Sequence, residues 1–136
     1  GVLAGRAFLP TNPFETRGGQ LYAAGALSEA LNTRLASDAG NANAASRIGV
    51  SFRAHDGDYC RTFMQSARNK GVSGLACRTD AGWAVRVAVT DPAEHGVYRQ
   101  AASPAPQVLS MVDDLIDGDA FDAQQERDAR DRNWRN

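Results

Sequence analysis

The sequence predicts an α+β fold: a four-stranded antiparallel meander with an N-terminal helix before it and two C-terminal helices after it. Apolar residues recur at helical spacing up to residue 38, alternate from residue 47 to residue 91, and return to helical spacing from residue 108. Two short segments that end in glycine divide the alternating region, as tight hairpins do. A chain of 136 residues has the length of one domain with one core.

The first predicted helix covers residues 20–38, and Gly40 lies just beyond it, where glycine commonly ends a helix. Its apolar stripe consists of Leu21, Ala24, Leu27, Leu31 and Leu35. Residues 11–19 are predicted to be a loop, because they contain a proline and two adjacent glycines. We therefore expect residues 20–134 to form a single domain, with residues 1–19 as a stub and linker before it.

Four strands are predicted in the alternating region. They cover about residues 47–54, 58–66, 72–79 and 83–90. Three-residue loops at 55–57 and 80–82 join the first two and the last two strands. Each loop closes on a glycine, which suits the left-handed position of such a turn.

Loops of this length decide which side chains share a face of the sheet. The first loop pairs Ala54 with Asp58, and the last pairs Thr79 with Trp83. One largely apolar face, which the helices are expected to cover, then collects Ile48, Val50, Phe52, Cys60, Thr62, Met64, Leu75, Cys77, Trp83, Val85, Val87 and Val89.

The same register bears on the two cysteines. If Ser66 pairs with Gly71 across the middle loop, Cys60 lies opposite Cys77 on neighbouring strands. Such a pair forms a disulfide in an oxidising compartment and remains as two buried thiols in a reducing one. The residues alone leave both states open.

The opposite face of the predicted sheet is rich in arginine. It collects Arg53, Tyr59, Arg61, Phe63, Arg78 and Arg86. The more ordinary interpretation is a solvated face, or one that pairs with the acidic C-terminal residues. The alternative is a docking surface for an acidic partner or an anionic ligand, since arginine recognises planar anions through two hydrogen bonds.

Two helices are predicted after a proline-containing loop at residues 91–106. The first carries an apolar stripe, closed by Gly118, that consists of Val108, Leu109, Val112, Leu115 and Ile116. The second covers residues 119–134 and is very polar, with Phe121 and Trp134 as its apparent anchors to the core.

Several classes of function are disfavoured by the composition. A net charge of −1 provides no general attraction to nucleic acid. Two cysteines cannot build a four-ligand zinc site, and His55 between polar neighbours is typical of a turn. No nucleophile-elbow, phosphate-loop or His-Glu-x-x-His pattern is present. We expect a protein that is not an enzyme and that carries no metal or cofactor.

Several segments together resemble the periplasmic part of transmembrane anti-sigma factors of proteobacteria. The resemblance covers about residues 20–134. It is carried by Arg47–Arg53, Asp56–Phe63 with its Cys-Arg-x-Phe sequence, Gly74–Arg78 with its Leu-Ala-Cys-Arg sequence, Gly82–Val85, Asp114–Asp119, Glu126 and Trp134.

The resemblance implies a modular protein of the bacterial envelope. A cytoplasmic segment would bind an alternative sigma factor and a single helix would cross the inner membrane; both would lie outside this chain. Residues 1–19 would be a membrane-proximal stub, with Gly1–Leu9 as the outer end of that helix. The domain itself would be periplasmic, which favours a Cys60–Cys77 disulfide, and a periplasmic protein or protease would be a further partner.

The function expected from the resemblance is a sensor or regulatory domain that controls release of the sigma factor. In one mechanism, the sheet and its disulfide shield the membrane-proximal stalk from a protease until a signal loosens the packing of the first helix. The alternative function is a periplasmic ligand- or protein-binding module of another envelope protein. A small secreted hydrolase is a third interpretation, for which the sequence provides no catalytic set.

Overall fold

The computed structural model describes residues 13–38, 45–67, 70–92 and 105–135. These residues form six strands and three helices. In chain order the elements are β1 (Phe14–Arg17), β2 (Gln20–Ala23), α1 (Gly25–Thr33), β3 (Ser46–Arg53), β4 (Tyr59–Ala67), β5 (Lys70–Thr79), β6 (Gly82–Pro92), α2 (Pro106–Leu115) and α3 (Ala123–Asp131). The strands form one antiparallel sheet in the order β1-β2-β6-β5-β4-β3. The class is α+β, but the predicted four-stranded meander is wrong in its strand number.

The two additional strands form a hairpin where the sequence predicted a loop and the start of a helix. Gly18 and Gly19 have φ angles of 58° and 83°, as a two-residue hairpin turn with both central residues in the left-handed region requires. Strand β2 joins the sheet by pairing Tyr22 with Ala84 of β6. Helix α1 therefore begins only at Gly25, and the predicted helix over residues 20–38 is too long at both ends.

The central part of the meander has the predicted register. Cys60 pairs with Cys77 and Ser66 pairs with Gly71 between β4 and β5. In the first hairpin Phe52 pairs with Cys60, as expected. These pairings confirm the register inferred for the β3–β4 turn and for the middle pair of strands.

Two irregularities divide the predicted apolar face. In β3 the register shifts between Ile48 and Ser51, so Ile48 pairs with Phe63. The turn between β5 and β6 is shorter than expected, because Thr79 pairs with Gly82. Each shift of one residue moves the neighbouring side chains to the other side of the sheet.

A second register shift in the β5–β6 pairing, between Leu75 and Ala76, returns the later part of β6 to the predicted face. Leu75 pairs with Val87 as expected, whereas Ala76 pairs with Val85. Residues 87 and 89 thus remain on the predicted face, while Trp83 and Val85 lie on the opposite one. The prediction of a single twelve-residue apolar face is wrong, because a β-bulge cannot be recognised from alternation alone.

Both faces of the sheet are consequently covered. The face under α1 and α3, called the α1/α3 face, packs Leu27, Leu31, Ile48, Phe63, Trp83, Val85, Ala129 and Trp134. The face under α2, called the α2 face, packs Phe52, Cys60, Leu75, Cys77, Val108 and Val112. The helices thus form two outer layers with the sheet between them. Within the described parts of the chain, no helix combines the length and apolar character that crossing a bilayer demands.

Candidate functional site

The two cysteines lie in the middle of the α2 face. Cys60 and Cys77 are fully buried and form a disulfide between the adjacent strands β4 and β5. The structure thus confirms the pair that the hairpin register placed together. Burial of both sulfur atoms points to a structural bond rather than an exchanging one, because thiol exchange needs access to a sulfur.

Arg61 belongs to a buried network on the α1/α3 face. Its Nη2 lies 2.8 Å from Glu126 Oε2, and its Nη1 donates to the carbonyl of Leu31 at 2.7 Å. Its Nε donates to Ser51 Oγ at 2.8 Å, and its guanidinium lies 4.3 Å from the ring centre of Trp134. The side chain has no exposed surface, so it joins α1 and α3 to the sheet and is inaccessible to a partner in this conformation.

The charge of Arg61 is stabilised by its partners. Burial lowers the pKa of this arginine, and the hydrogen bond and charge of Glu126 oppose that effect. Glu126 also accepts from Ser51 Oγ at 2.6 Å and from the Ala36 amide at 3.1 Å. A buried ion pair needs such additional hydrogen bonds to offset its loss of hydration.

Two other arginines of the predicted basic face contact residues of the β3–β4 turn. Arg53 donates to the Gly57 carbonyl at 3.1 Å and lies over the ring of Tyr59. Arg86 forms an ion pair of 3.6 Å with Asp56. Their contribution to partner binding stays a prediction, but the four arginines do not form one continuous exposed patch.

Arg78 lines a charged cleft at the end of the sheet where the β3–β4 and β5–β6 turns lie. The residues that follow α3 complete it, and its volume is about 470 Å³. The charged and aromatic residues that line it are Asp58, Tyr59, Arg78, Asp80, Trp134 and Arg135. We call it the turn-end cleft.

The chain after α3 is positioned by Trp134. Asn133 and Trp134 both have φ near 60°, and the Trp134 amide donates to the carbonyl of Ala129 at 2.8 Å, which turns the chain back at the end of the helix. The indole Nε1 donates to the carbonyl of Asn32 at 3.0 Å, and the ring packs edge-on against Trp83. Arg135 is therefore held at the rim of the cleft by its buried neighbour.

Opposite charges occur in the turn-end cleft without close pairing in its interior. Burial lowers the pKa of Arg78, the nearby Arg135 lowers it further, and Asp80 opposes the change. Burial raises the pKa of Asp58, and Asp56 raises it further. The ion pair formed by lining residues, Arg135 with Asp80 at 3.4 Å, is largely exposed. Residues of both charges thus line the cleft, and Arg135 and Asp80 pair at its exposed rim.

Metal binding has little support in the described residues. No cluster of three or more His, Cys, Asp or Glu side chains there could hold an ion. His55 lies 4.0 Å from Asp117, and both side chains are largely exposed.

Sequence reasoning identified Arg78 and the anchoring role of Trp134 but not the cleft that they share. Arg135 lies more than fifty positions from Arg78 in the chain, and no local pattern connects them. The available signal was the predicted end of a polar helix beside a buried tryptophan.

We compared the chain with protein-family models, with curated proteins and with solved structures, and none of the three comparisons found a match.

Proposed function

We propose that this chain is an extracytoplasmic sensor or regulatory domain of a membrane-bound anti-sigma factor, and that it controls release of an alternative sigma factor. The observation that carries the proposal is the buried disulfide between Cys60 and Cys77. Structural disulfides of this kind persist in oxidising compartments and are rare in the cytosol of mesophiles. The resemblance of the surrounding segments supplies the class of protein.

The packing of the N-terminal hairpin suggests how a signal would be transmitted. Strand β2 pairs with the sheet at Tyr22, and two side-chain bonds add to this contact. Gln20 Nε2 donates to the Val85 carbonyl at 3.2 Å, and Arg17 Nη2 donates to the Ala81 carbonyl at 3.1 Å. An edge hairpin held by few bonds opens at a lower free energy than the central strands.

Helix α1 follows that hairpin directly and covers the sheet with fully buried leucines. Leu27 and Leu31 have no exposed surface, and the Leu31 carbonyl accepts from Arg61. Loosening α1 would therefore release the hairpin and expose the chain before it to proteolysis. In the chain, β1 and β2 lie between the predicted stalk and α1. The shielding mechanism is revised accordingly: loosening of α1 would act on the stalk through this hairpin.

The proposal is tested in the source bacterium with the full-length protein. Deleting its gene should raise transcription from the promoters of one alternative sigma factor, and that factor should co-purify with the tagged protein. A fusion of this domain to alkaline phosphatase should be active, as an extracytoplasmic position requires. Unchanged transcription together with no co-purified sigma factor would contradict the proposal.

The mechanism is tested separately with a leucine pair. Replacing both Leu27 and Leu31 by Ala should release the sigma factor without a stimulus, because each truncation removes about 2–5 kcal/mol of packing. The matched control is Leu109→Ala on α2, where the side chain is 45% exposed. Equal reporter activity and intact protein in both variants would reject shielding by α1.

The turn-end cleft favours a second candidate, a periplasmic ligand- or protein-binding module of another envelope protein. Pockets that bind small molecules commonly enclose about 300–1,000 Å³ and contain a few convergent polar groups. The two candidates differ in their partner in the cytoplasm. Export of the domain without any associated sigma factor would favour the binding module.

A further inference from the structure

The outer edge of β6 is only partly covered by the N-terminal hairpin. Strand β6 pairs with β5 along its whole length, whereas its register with β2 consists of the pair Tyr22 and Ala84. Since β2 runs antiparallel to β6 and begins at Gln20, the turn that precedes β2 lies near Arg86. Among the described residues, the later part of β6 therefore has a neighbouring strand on one side only.

The alternation of backbone hydrogen bonds identifies the groups on this edge that point outward. The Cα atoms of the disulfide-bonded cysteines are 4.0 Å apart, the spacing of an opposite pair without backbone hydrogen bonds, so the backbone of Cys77 bonds to β6 instead of β4. Every second residue of β5 does the same, which directs the backbone bonds of Val87 and Val89 to β5. The amide and carbonyl groups of Ala88 and Thr90 therefore point away from β5.

The other edges of the sheet are protected against further strands. Strand β1 has four residues, and its exposed side chains Glu15 and Arg17 form an ion pair. The edge of β3 is interrupted by a register shift, and the chain after α2 donates to the carbonyls of Ser51 and Arg53. Short length, charge and a covering segment are recognised ways of keeping an edge from pairing. Residues 87–90, Val-Ala-Val-Thr, carry no charge, and no described segment covers their outer edge.

The side chains along this edge define what a further strand would need. Val87 and Val89 are half-buried and pack against the cluster under α2, whereas Ala88 and Thr90 are exposed on the other face. A strand beside them would place its side chains alternately next to the valines and next to solvent. It would be short, because the turn before β2 limits it at one end and Pro92, which has no amide proton, limits it at the other.

We propose that this edge binds an extended, uncharged segment of a partner protein as an additional strand, with apolar side chains beside Val87 and Val89. In antiparallel orientation, Ala88 and Thr90 can each donate and accept one backbone hydrogen bond. Main-chain bonds of this kind supply affinity, and pockets for alternate side chains supply specificity. A second copy of β6 fits less well, since antiparallel pairing of two such edges sets the acidic Asp91 opposite a valine or opposite its own copy. The inference does not depend on the proposed function, because it rests on the edge alone.

The experiment titrates the oxidised, ¹⁵N-labelled 136-residue chain with the peptide acetyl-Thr-Val-Thr-Val-Thr-amide. We expect hydrogen exchange of the Ala88 and Thr90 amides to slow by about tenfold or more at saturation, because both become hydrogen-bonded. The amides of Val87 and Val89 already bond to β5 and should change much less. This contrast between neighbouring amides separates strand addition from binding elsewhere.

Methylated peptides test the pairing itself. Methyl groups on the threonine nitrogens remove the amides that face β6 when the peptide valines lie beside Val87 and Val89, and they should weaken binding by about tenfold or more. Methyl groups on the valine nitrogens point away from β6 and should be tolerated. Replacing both peptide valines by aspartate should also weaken binding by about tenfold or more, because the carboxylates would lie beside apolar side chains.

A proline variant assigns binding to this edge. Ala88→Pro removes the outward amide while the bonds to β5 remain, a change that an edge strand tolerates, and it should weaken peptide binding by about tenfold or more. Ala88→Thr retains the amide at the same exposed position. It is the matched control and should bind as the unaltered chain does.

Four results would overturn the proposal. The first is unchanged exchange of the Ala88 and Thr90 amides at the highest peptide concentration. The second is equal binding of the two methylated peptides. The third is unchanged binding in an Ala88→Pro variant whose spectrum shows that it is folded. The fourth is sedimentation of the peptide-free chain as a dimer that Ala88→Pro dissociates, which would assign the edge to a second copy.

Discussion

The two faces of the sheet attach their helices by different means. On the α2 face, apolar side chains of α2 pack against Phe52, Leu75 and the Cys60–Cys77 disulfide. On the α1/α3 face, the link between helices and sheet includes a buried ion pair, Arg61 with Glu126. One face is thus apolar and contains the disulfide, and the other combines an apolar cluster with a buried, hydrogen-bonded ion pair.

Helices α2 and α3 also differ at their N-termini, whereas α1, like α2, has no side-chain cap. Helix α3 begins with a reciprocal capping box between Asp122 and Gln125. Helix α2 has no side-chain hydrogen bond at its N-terminal residue Ala105 and begins instead with Pro106. Apolar packing tolerates small shifts of a helix, whereas hydrogen-bonded charges do not. The difference makes the α1/α3 face the more sensitive of the two to single substitutions.

The largest expected effect is on the polar face. Arg61→Met should lower the free energy of unfolding by about 3–5 kcal/mol, because it leaves the Glu126 carboxylate buried without its cation. Chemical denaturation under oxidising conditions measures the change. The double variant with Glu126→Leu should recover part of the loss, and a single variant as stable as the unaltered chain would show that the ion pair is dispensable.

Removing the Cys60–Cys77 disulfide from the α2 face should lower the free energy of unfolding by somewhat less. The cysteines are 17 residues apart in sequence, and a loop of that size corresponds to about 3 kcal/mol in the chain-entropy description. Cys60→Ala combined with Cys77→Ala should lose about this amount in the same denaturation assay. Reductant should no longer affect the melting temperature of the variant, and a residual effect would indicate another origin of the stabilisation.

Substitutions at the N-terminal caps of α2 and α3 should have smaller effects on stability, in opposite directions. Asp122→Ala removes the acceptor that lies 2.8 Å from the Gln125 amide and should cost about 1 kcal/mol. Ala105→Ser introduces a cap at α2 and should stabilise by up to about 1 kcal/mol. If both substitutions change stability in the same direction, the capping difference between the two helices is not energetically important.

The smallest expected effect concerns Asp58 and pH. Its pKa is raised above the ordinary value of 3.8, first by burial and then by Asp56, so the folded state binds the proton more tightly than the unfolded state. Stability therefore declines as pH rises through the interval between the ordinary and the raised pKa. Asp58→Asn should be more stable by a few tenths of a kcal/mol at neutral pH, since solvent screens this partly exposed group.

The pH dependence separates that effect from a packing change. The advantage of Asp58→Asn should vanish at a pH below the ordinary aspartate pKa, where both states of the unaltered chain are protonated. Asp114→Asn, an exposed position on α2, is the matched control. Melting temperatures of the variants and the unaltered chain are measured across the acidic range. A stability gain of Asp58→Asn that does not change with pH would contradict the electrostatic explanation.

Some parts of the structure were decided by local sequence. The turn at residues 55–57 requires a glycine with positive φ, and Gly57 has φ 94°. This turn placed Phe52 opposite Cys60, and the short connection between β4 and β5 placed Cys60 opposite Cys77. The amphipathic stripe of α2 was also recognisable, because it depends on residues close together in the chain. Trp134 was recognisable as a large apolar residue in a very polar segment.

Other parts were decided only when distant segments met. The Gly18-Gly19 pair signals a hairpin, but Leu21 also fitted a helical stripe, and pairing of β2 with the edge of β6 selects the strand. An irregularity in β3 moved Ile48 across the sheet, and a β5–β6 turn one residue shorter than predicted moved Trp83 and Val85, because the local register yields to packing on both faces. Burial of Arg61 requires Glu126, which is contributed from 65 positions away. The turn-end cleft has the same origin, since two turns and the end of α3 must assemble before its charges lie together.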